Sequence, residues 1–494
     1  MQQLRVLLAV LSTLALFTPG AANAAPAALG LHLTPCTQGH SKVPAECGTF
    51  GVYENRAAHS GRIIALKVIL LKAQHPSNRA VAMIAGGPGE PVTPFAQYVA
   101  DGQFLTALTQ LRDRYNILFV DDRGMGGSHP FTCDFAPPGD ATAYFAQLYP
   151  TKLVRDCRSK STLTMDPAQY NTNNTVDDLD DVRAALRYPK LVLDGGSYGT
   201  FFSLVYVRRH SRHVQSVVLD SVDPPHFQAV PGSPDGAQTA LDDLVVKCRH
   251  DPTCRKTFPA FRSHFNAVMQ RFDAGTVAVS AKNLVTKRAQ TVQLSKEVLV
   301  DSVRHALYDP DSAAYIPYII ERAYVRDYEP LSRLVEFEAQ SNTQDVNPGA
   351  NLSYSCADWL PFITGARLEA AAAHSFAGDL RARAEQAACK MWNVPTMPPS
   401  FDDPVRSDLP VLMISASDDP ATPPALAEAA LHYLPNGRQV LVTGGGHSTF
   451  TPCTDRLTVA FVRRNSAKGL NLSECTSSFK LPPFAMSMKG FPEL

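Results

Sequence analysis

The chain has 494 residues, 45% of them apolar and 19% charged, a balance that supports a buried core and excludes a disordered or fibrous chain. Its 46 basic and 46 acidic residues cancel, so no broad field draws nucleic acid or anionic lipid to it. The length exceeds one ordinary domain and fits a large core carrying one insertion.

At the N-terminus, Arg5, the apolar run Val6 to Phe17 and Ala22-Asn23-Ala24 read as a secretory signal over residues 1–24, cleaved after Ala24. An apolar run of about 12 residues is too short to cross a bilayer, which takes roughly 20. Export to the periplasm or the medium is therefore expected, with no membrane partner after cleavage. The ten cysteines agree with an oxidising compartment. They fall along the chain as consecutive near neighbours, and pairing each with its neighbour is the simplest arrangement, although spacing does not fix it. No C-x-x-C pair or H-E-x-x-H stretch is present, so neither a metal nor a cofactor is expected.

Gly48 to Val52 and Arg62 to Leu71 read as strands around the polar turn Glu54 to Gly61. Short apolar runs then alternate with helix-length segments: Val81 to Ala85, Ile117 to Asp121, Leu191 to Asp194 and Val214 to Leu219 have the look of buried parallel strands. Before the third of these, Thr175 with Asp178 predicts a helix start, and Val176, Leu179, Val182 and Leu186 its inner stripe. From about Pro224 to Pro404 the strand rhythm gives way to helical patterns at Leu241 to Cys248, Phe258 to Phe272, Val298 to Tyr308 and Leu368 to Cys389. The alternation resumes at Val411 to Ser415, a helix around Pro424 to Leu434, and Gln439 to Val442. The expected layout is an α/β core over 25–224 and 405–494 with a helical insertion over 225–404.

The strand Leu191 to Asp194 runs directly into Gly195-Gly196-Ser197-Tyr198-Gly199 and then a helix. Glycines let the backbone turn sharply enough to expose a serine hydroxyl at a helix N-terminus, which marks Ser197 as a candidate nucleophile. Serine needs a base, and the base an orienting acid. Asp419 follows the strand Val411 to Ser415, and His447 follows Gln439 to Val442 behind three glycines. Both stand where the loops of an open α/β sheet converge. Asp418 and Asp220 are the alternative acids. The amide of Tyr198 and one from Gly86-Gly87-Pro88-Gly89 are candidate oxyanion donors.

With Asp122 to Ser128, these segments resemble, in order, the proline iminopeptidase and tripeptidyl aminopeptidase family of α/β hydrolases, in its exported, disulfide-containing branch. The resemblance implies an α/β-hydrolase fold with a mostly parallel central sheet and an inserted helical cap, with Gly87 and Tyr198 forming the oxyanion hole. It also implies cap carboxylates that receive the free amino group of a peptide. Cys356-Ala357-Asp358-Trp359 falls at the matching place, making Asp358 the expected ammonium anchor, although aspartate stands where the family has glutamate and Ala85 where the iminopeptidases have histidine. Arg123 is expected to fix its own loop by pairing with a carboxylate. The expected activity is that of an exported serine exopeptidase acting on peptides with a free N-terminus. A carboxylester hydrolase and a non-catalytic binding protein are the alternatives, because fold and triad do not choose between ester and amide.

Overall fold

The computed structural model describes residues 28–226, 233–448 and 450–492, with the backbone alone for 342–345; the expected signal over 1–24 lies outside them. A nine-stranded sheet in the order β1-β2-β3-β5-β4-β6-β7-β10-β11 organises the molecule. Strands β1 (Gly30–Gln38), β2 (Val43–Tyr53) and β3 (Ile63–Leu71) are antiparallel, and β3 meets β5 (Asn116–Val120) antiparallel. From β5 onward the pairs are parallel, through β4 (Ala80–Ile84), β6 (Leu191–Gly196), β7 (Val214–Asp220), β10 (Val411–Ala416) and β11 (Gly437–Val442). This is the α/β-hydrolase fold. The opening strand β1 was not legible, because its alternation leaves several of its residues exposed.

The order places a topological switch at β4. The chain leaves β4 for helices on one face, Phe95–Ala100 and Thr106–Leu111, whereas β6 feeds the helix Tyr198–His210 on the other. Loops diverging from adjacent parallel strands leave a crevice at the carboxyl edge, and here it lies between Gly86-Gly87 and Ser197.

Some local expectations need correction. The helix before β6 spans Thr172–Ala185, and Asn171, not Thr175, caps it, accepting from the Asn174 amide at 3.0 Å. Thr175 lies inside the first turn and returns its hydroxyl to the Asn171 carbonyl at 2.9 Å. The pattern Leu368 to Cys389 is two helices, Gly365–Ala372 and Leu380–Trp392, interrupted before Gly378 with its φ of 56°. The region between β7 and β10 is not wholly helical either: β8 (Val277–Lys282) and β9 (Ala289–Leu294) form a hairpin. Their apolar residues alternate with polar ones, so only one face is buried.

That region builds a second hydrophobic core around Leu241, Phe265, Leu299, Ile320 and Leu334, joined by Tyr144 and Phe145 from the stretch after β5. The end of the chain reaches the same core. Met488 and Phe491 are buried in it, and the Ala485 amide bonds the Ala314 carbonyl at 3.0 Å. Each cysteine is joined to its neighbour in sequence: Cys36–Cys47, Cys133–Cys157, Cys248–Cys254, Cys356–Cys389 and Cys453–Cys475.

Candidate active site

Ser197 sits between β6 and its helix at φ 54° and ψ −123°, a conformation side chains rarely adopt. The neighbouring glycines make this turn sterically possible. A Cβ on Gly195 would stand 2.3 Å from the Gly199 carbonyl oxygen, and one on Gly199 would stand 2.4 Å from that of Ile84. The Ser197 amide is held by the Asp220 carbonyl at 2.9 Å, and its side chain makes no capping bond, which leaves the hydroxyl to the cavity.

His447 lies just past β11 in the loop after the glycines. Its Nδ1 is 2.9 and 3.0 Å from the two carboxylate oxygens of Asp419. Asp419 also accepts the amides of Ala421 and Thr422 and the Thr422 hydroxyl, each at 2.8 Å. Burial works to raise the Asp419 pKa, yet His447 and these donors pull it down to about 2. Burial alone would lower the His447 pKa; the Asp419 carboxylate outweighs it and leaves the imidazole above its ordinary value. Of the alternative acids, Asp418 pairs with Lys247, and Asp220 bonds the adjacent Ser221 hydroxyl.

Ser197 and His447 line one cavity of about 510 Å³. A smaller polar cavity of about 130 Å³ adjoins it, lined by Ser197, Tyr198 and Gly87. The Gly86 backbone passes against the serine, since a Cβ there would lie 3.3 Å from the Ser197 Cβ. Tyr198 opens its helix, so its amide has no partner within the helix.

Asp358 requires a correction. It is fully buried and lines neither cavity at Ser197. The helix Pro348–Asp358 ends beneath the start of Thr172–Ala185, where one carboxylate oxygen accepts the Thr172 amide at 2.9 Å and hydroxyl at 2.6 Å. The Thr172 hydroxyl is in turn 2.8 Å from that of Tyr198. Burial pushes the Asp358 carboxyl up to about 7. Its place is that of a clasp under the residue after Ser197.

Residues 374–473 match the family described as TAP-like protein. The serine protease Hip1 of Mycobacterium tuberculosis is 24% identical over 423 residues, covering 79% of this chain and 80% of that protein. The tripeptidyl aminopeptidase of Streptomyces lividans is 30% identical over 194 residues, 36% of this chain and 35% of that one. The chain thus carries a TAP-like segment at residues 374–473 and is similar to serine peptidases over most of its length. Among solved structures, the proline iminopeptidase of Mycobacterium smegmatis aligns at a TM-score of 0.39 with 14% identity, over 85% of this chain and 98% of that one.

The insertion supplies side chains to the cavity that the sequence did not reveal. Arg304 and Arg381 converge on Asp301 at 3.0 and 2.9 Å, and Arg304 also donates to the Tyr308 hydroxyl at 2.6 Å. Burial would raise the Asp301 pKa, but the two guanidinium groups hold it well below the usual carboxylate range. Glu338 also lines the cavity and makes no hydrogen bond or ion pair among the described residues. Burial, then Asp301, push its carboxyl up to about 8. No periodicity within Glu329–Asp345 distinguishes Glu338 from a solvated helix residue; only the packing of that helix over the sheet edge does. Arg123 does fix its loop, donating to both oxygens of Asp178 at 2.7 and 2.9 Å and to the Glu54 carbonyl at 2.8 Å.

Proposed function

We propose that this chain is an exported serine exopeptidase that releases residues or short peptides from free N-termini. Ser197 Oγ attacks the scissile carbonyl as its proton passes to His447 Nε2, and Asp419 holds the imidazole through Nδ1. The amides of Gly87 and Tyr198 stabilise the tetrahedral oxyanion. The intermediate collapses to an acyl-enzyme when His447 returns the proton to the leaving amine. Water then attacks the ester with His447 as base, releasing the acid and regenerating the hydroxyl. No step calls for a metal or cofactor.

The observation that carries the exopeptidase reading is Glu338, a carboxylate without a partner facing the cavity of Ser197. A half-buried carboxylate of raised pKa is stabilised in its charged form by an arriving ammonium group, which a free N-terminus provides. Peptide amides with free and acetylated N-termini test it. The expected result is cleavage of the free form at least about 100-fold faster in kcat/KM, as when a buried polar group loses its partner. Indifference to acetylation together with fast short-chain ester cleavage would transfer the chain to the carboxylester hydrolases. A fluorophosphonate should label the wild-type protein and spare Ser197→Ala.

A further inference from the structure

Strands β6 and β7 pair with Asp194 opposite Val218 and Gly196 opposite Asp220. Alternate residues of a strand share a face, so Asp194, Gly196 and Asp220 all point to one side of the sheet, immediately before Ser197. On that side stand Phe95, Phe104 and Phe450, with ring centroids 6.4 Å apart for the first pair and 5.0 Å for the second. Gly196 leaves room between the carboxylates: a Cβ built on it meets no atom within 4 Å. Together these residues form a lobe of the large cavity, with acids at its floor and aromatic rings as walls.

Neither acid makes an ion pair with a lysine or arginine among the described residues, and the charged group nearest in effect to Asp220 is the His447 imidazole. Asp220 is 5% exposed, and its Oδ2 has no hydrogen-bond partner. The Asp194 carboxyl makes no hydrogen bond or ion pair among the described residues. Buried carboxyls left this way are costly to ionise unless a cation joins them. Burial accordingly pushes Asp194 up to about 7 and Asp220 up to about 8.

We propose that this lobe is a specificity pocket for a cationic side chain, lysine or arginine, on the residue whose carbonyl Ser197 attacks. The apolar stem lies along the phenylalanine rings, which favour both methylene groups and a nearby positive charge, and the tip reaches Asp194 and Asp220. The proposal rests on Ser197 as nucleophile and is independent of how the N-terminus is recognised.

The test compares lysyl with norleucyl and arginyl with citrullyl p-nitroanilides, all with free α-amino groups. For the wild-type enzyme the cationic member of each pair should have a kcat/KM about 100-fold higher, the scale on which a site rejects an analogue lacking its polar partner. In Asp194→Asn and Gly196→Leu the ratio should fall toward one, the first by removing charge and the second by filling space. Because the ratio is internal to each preparation, it does not depend on how much of a variant folds. Equal or faster cleavage of the neutral substrates by the wild-type enzyme overturns the pocket, as does a ratio that survives both substitutions. Repeating the pairs with acetylated α-amino groups separates the two readings. Cation preference without amino-terminal preference sinks the exopeptidase and leaves the pocket standing; the reverse sinks the pocket alone.

Discussion

The ring of Tyr308 stands 4.8 Å from that of His447, tilted by 41°, and the Tyr308 carbonyl accepts the His447 amide at 2.7 Å. A residue of the insertion thus holds the candidate base from two directions. The fit is tight, because a Cβ on Gly446 would lie 2.2 Å from that carbonyl oxygen.

Tyr308 is therefore expected to position the imidazole without touching the reacting atoms. Tyr308→Leu should lower kcat about ten-fold, equivalent to about 1.4 kcal/mol, with a smaller change in KM. Tyr308→Phe keeps the ring and should recover most of that loss. Steady-state kinetics of the two variants decide it; equal losses would assign the effect to the hydroxyl that Arg304 binds.

The pH profile follows from the Asp419–His447 pair. Catalysis needs the neutral imidazole, so activity rises with pH as His447 loses its proton. With the His447 pKa raised, the acid limb of kcat/KM should lie above 6.5, the ordinary histidine value. Asp419→Asn removes the charge that holds the proton, so the limb should move to lower pH while turnover falls about 10⁴-fold. An unmoved limb would mean that another group sets it.

Glu338 and Asp358 should separate in their effects. Glu338→Gln is expected to raise KM for substrates with a free N-terminus by about ten-fold or more, and to leave acetylated substrates unaffected, since only the former lose an ion pair. Asp358→Ala removes the acceptor of the Thr172 amide and should cost about 1–3 kcal/mol of stability, read from denaturant melts. It should not discriminate between free and acetylated substrates.

Gly195→Ala should be among the most damaging single-methyl changes in the chain. Its Cβ would be forced to within 2.3 Å of the Gly199 carbonyl, so either the turn opens or the helix shifts. A loss of about 3 kcal/mol or more is expected, together with loss of fluorophosphonate labelling, because the serine no longer points to the cavity.

What the sequence disclosed and what it withheld divide along a physical line. The buried strands, the turn at Ser197 and the order of Ser197, Asp419 and His447 rest on local patterns: apolar runs, glycines and short loops. The insertion's contribution rests on long-range packing. The family resemblance implies Asp358 as an ammonium anchor, yet the helix Pro348–Asp358 turns it inward beneath Thr172. Glu338, Tyr308 and Arg304 carry no local mark, and only the seating of their helices over the sheet edge brings them to the cavity. The acids on β6 and β7 were visible as letters, but their shared face emerged only from strand register.

The path of residues 453–491 ties the two hydrophobic cores together. Cys453–Cys475 closes a loop after β11 within the core that packs on the sheet, and further along the chain Met488 and Phe491 are buried in the other core. A chain that bridges both halves in this way opposes their swinging apart like jaws. Widening the cavity of Ser197 by parting the two cores would therefore first have to unseat Met488 and Phe491.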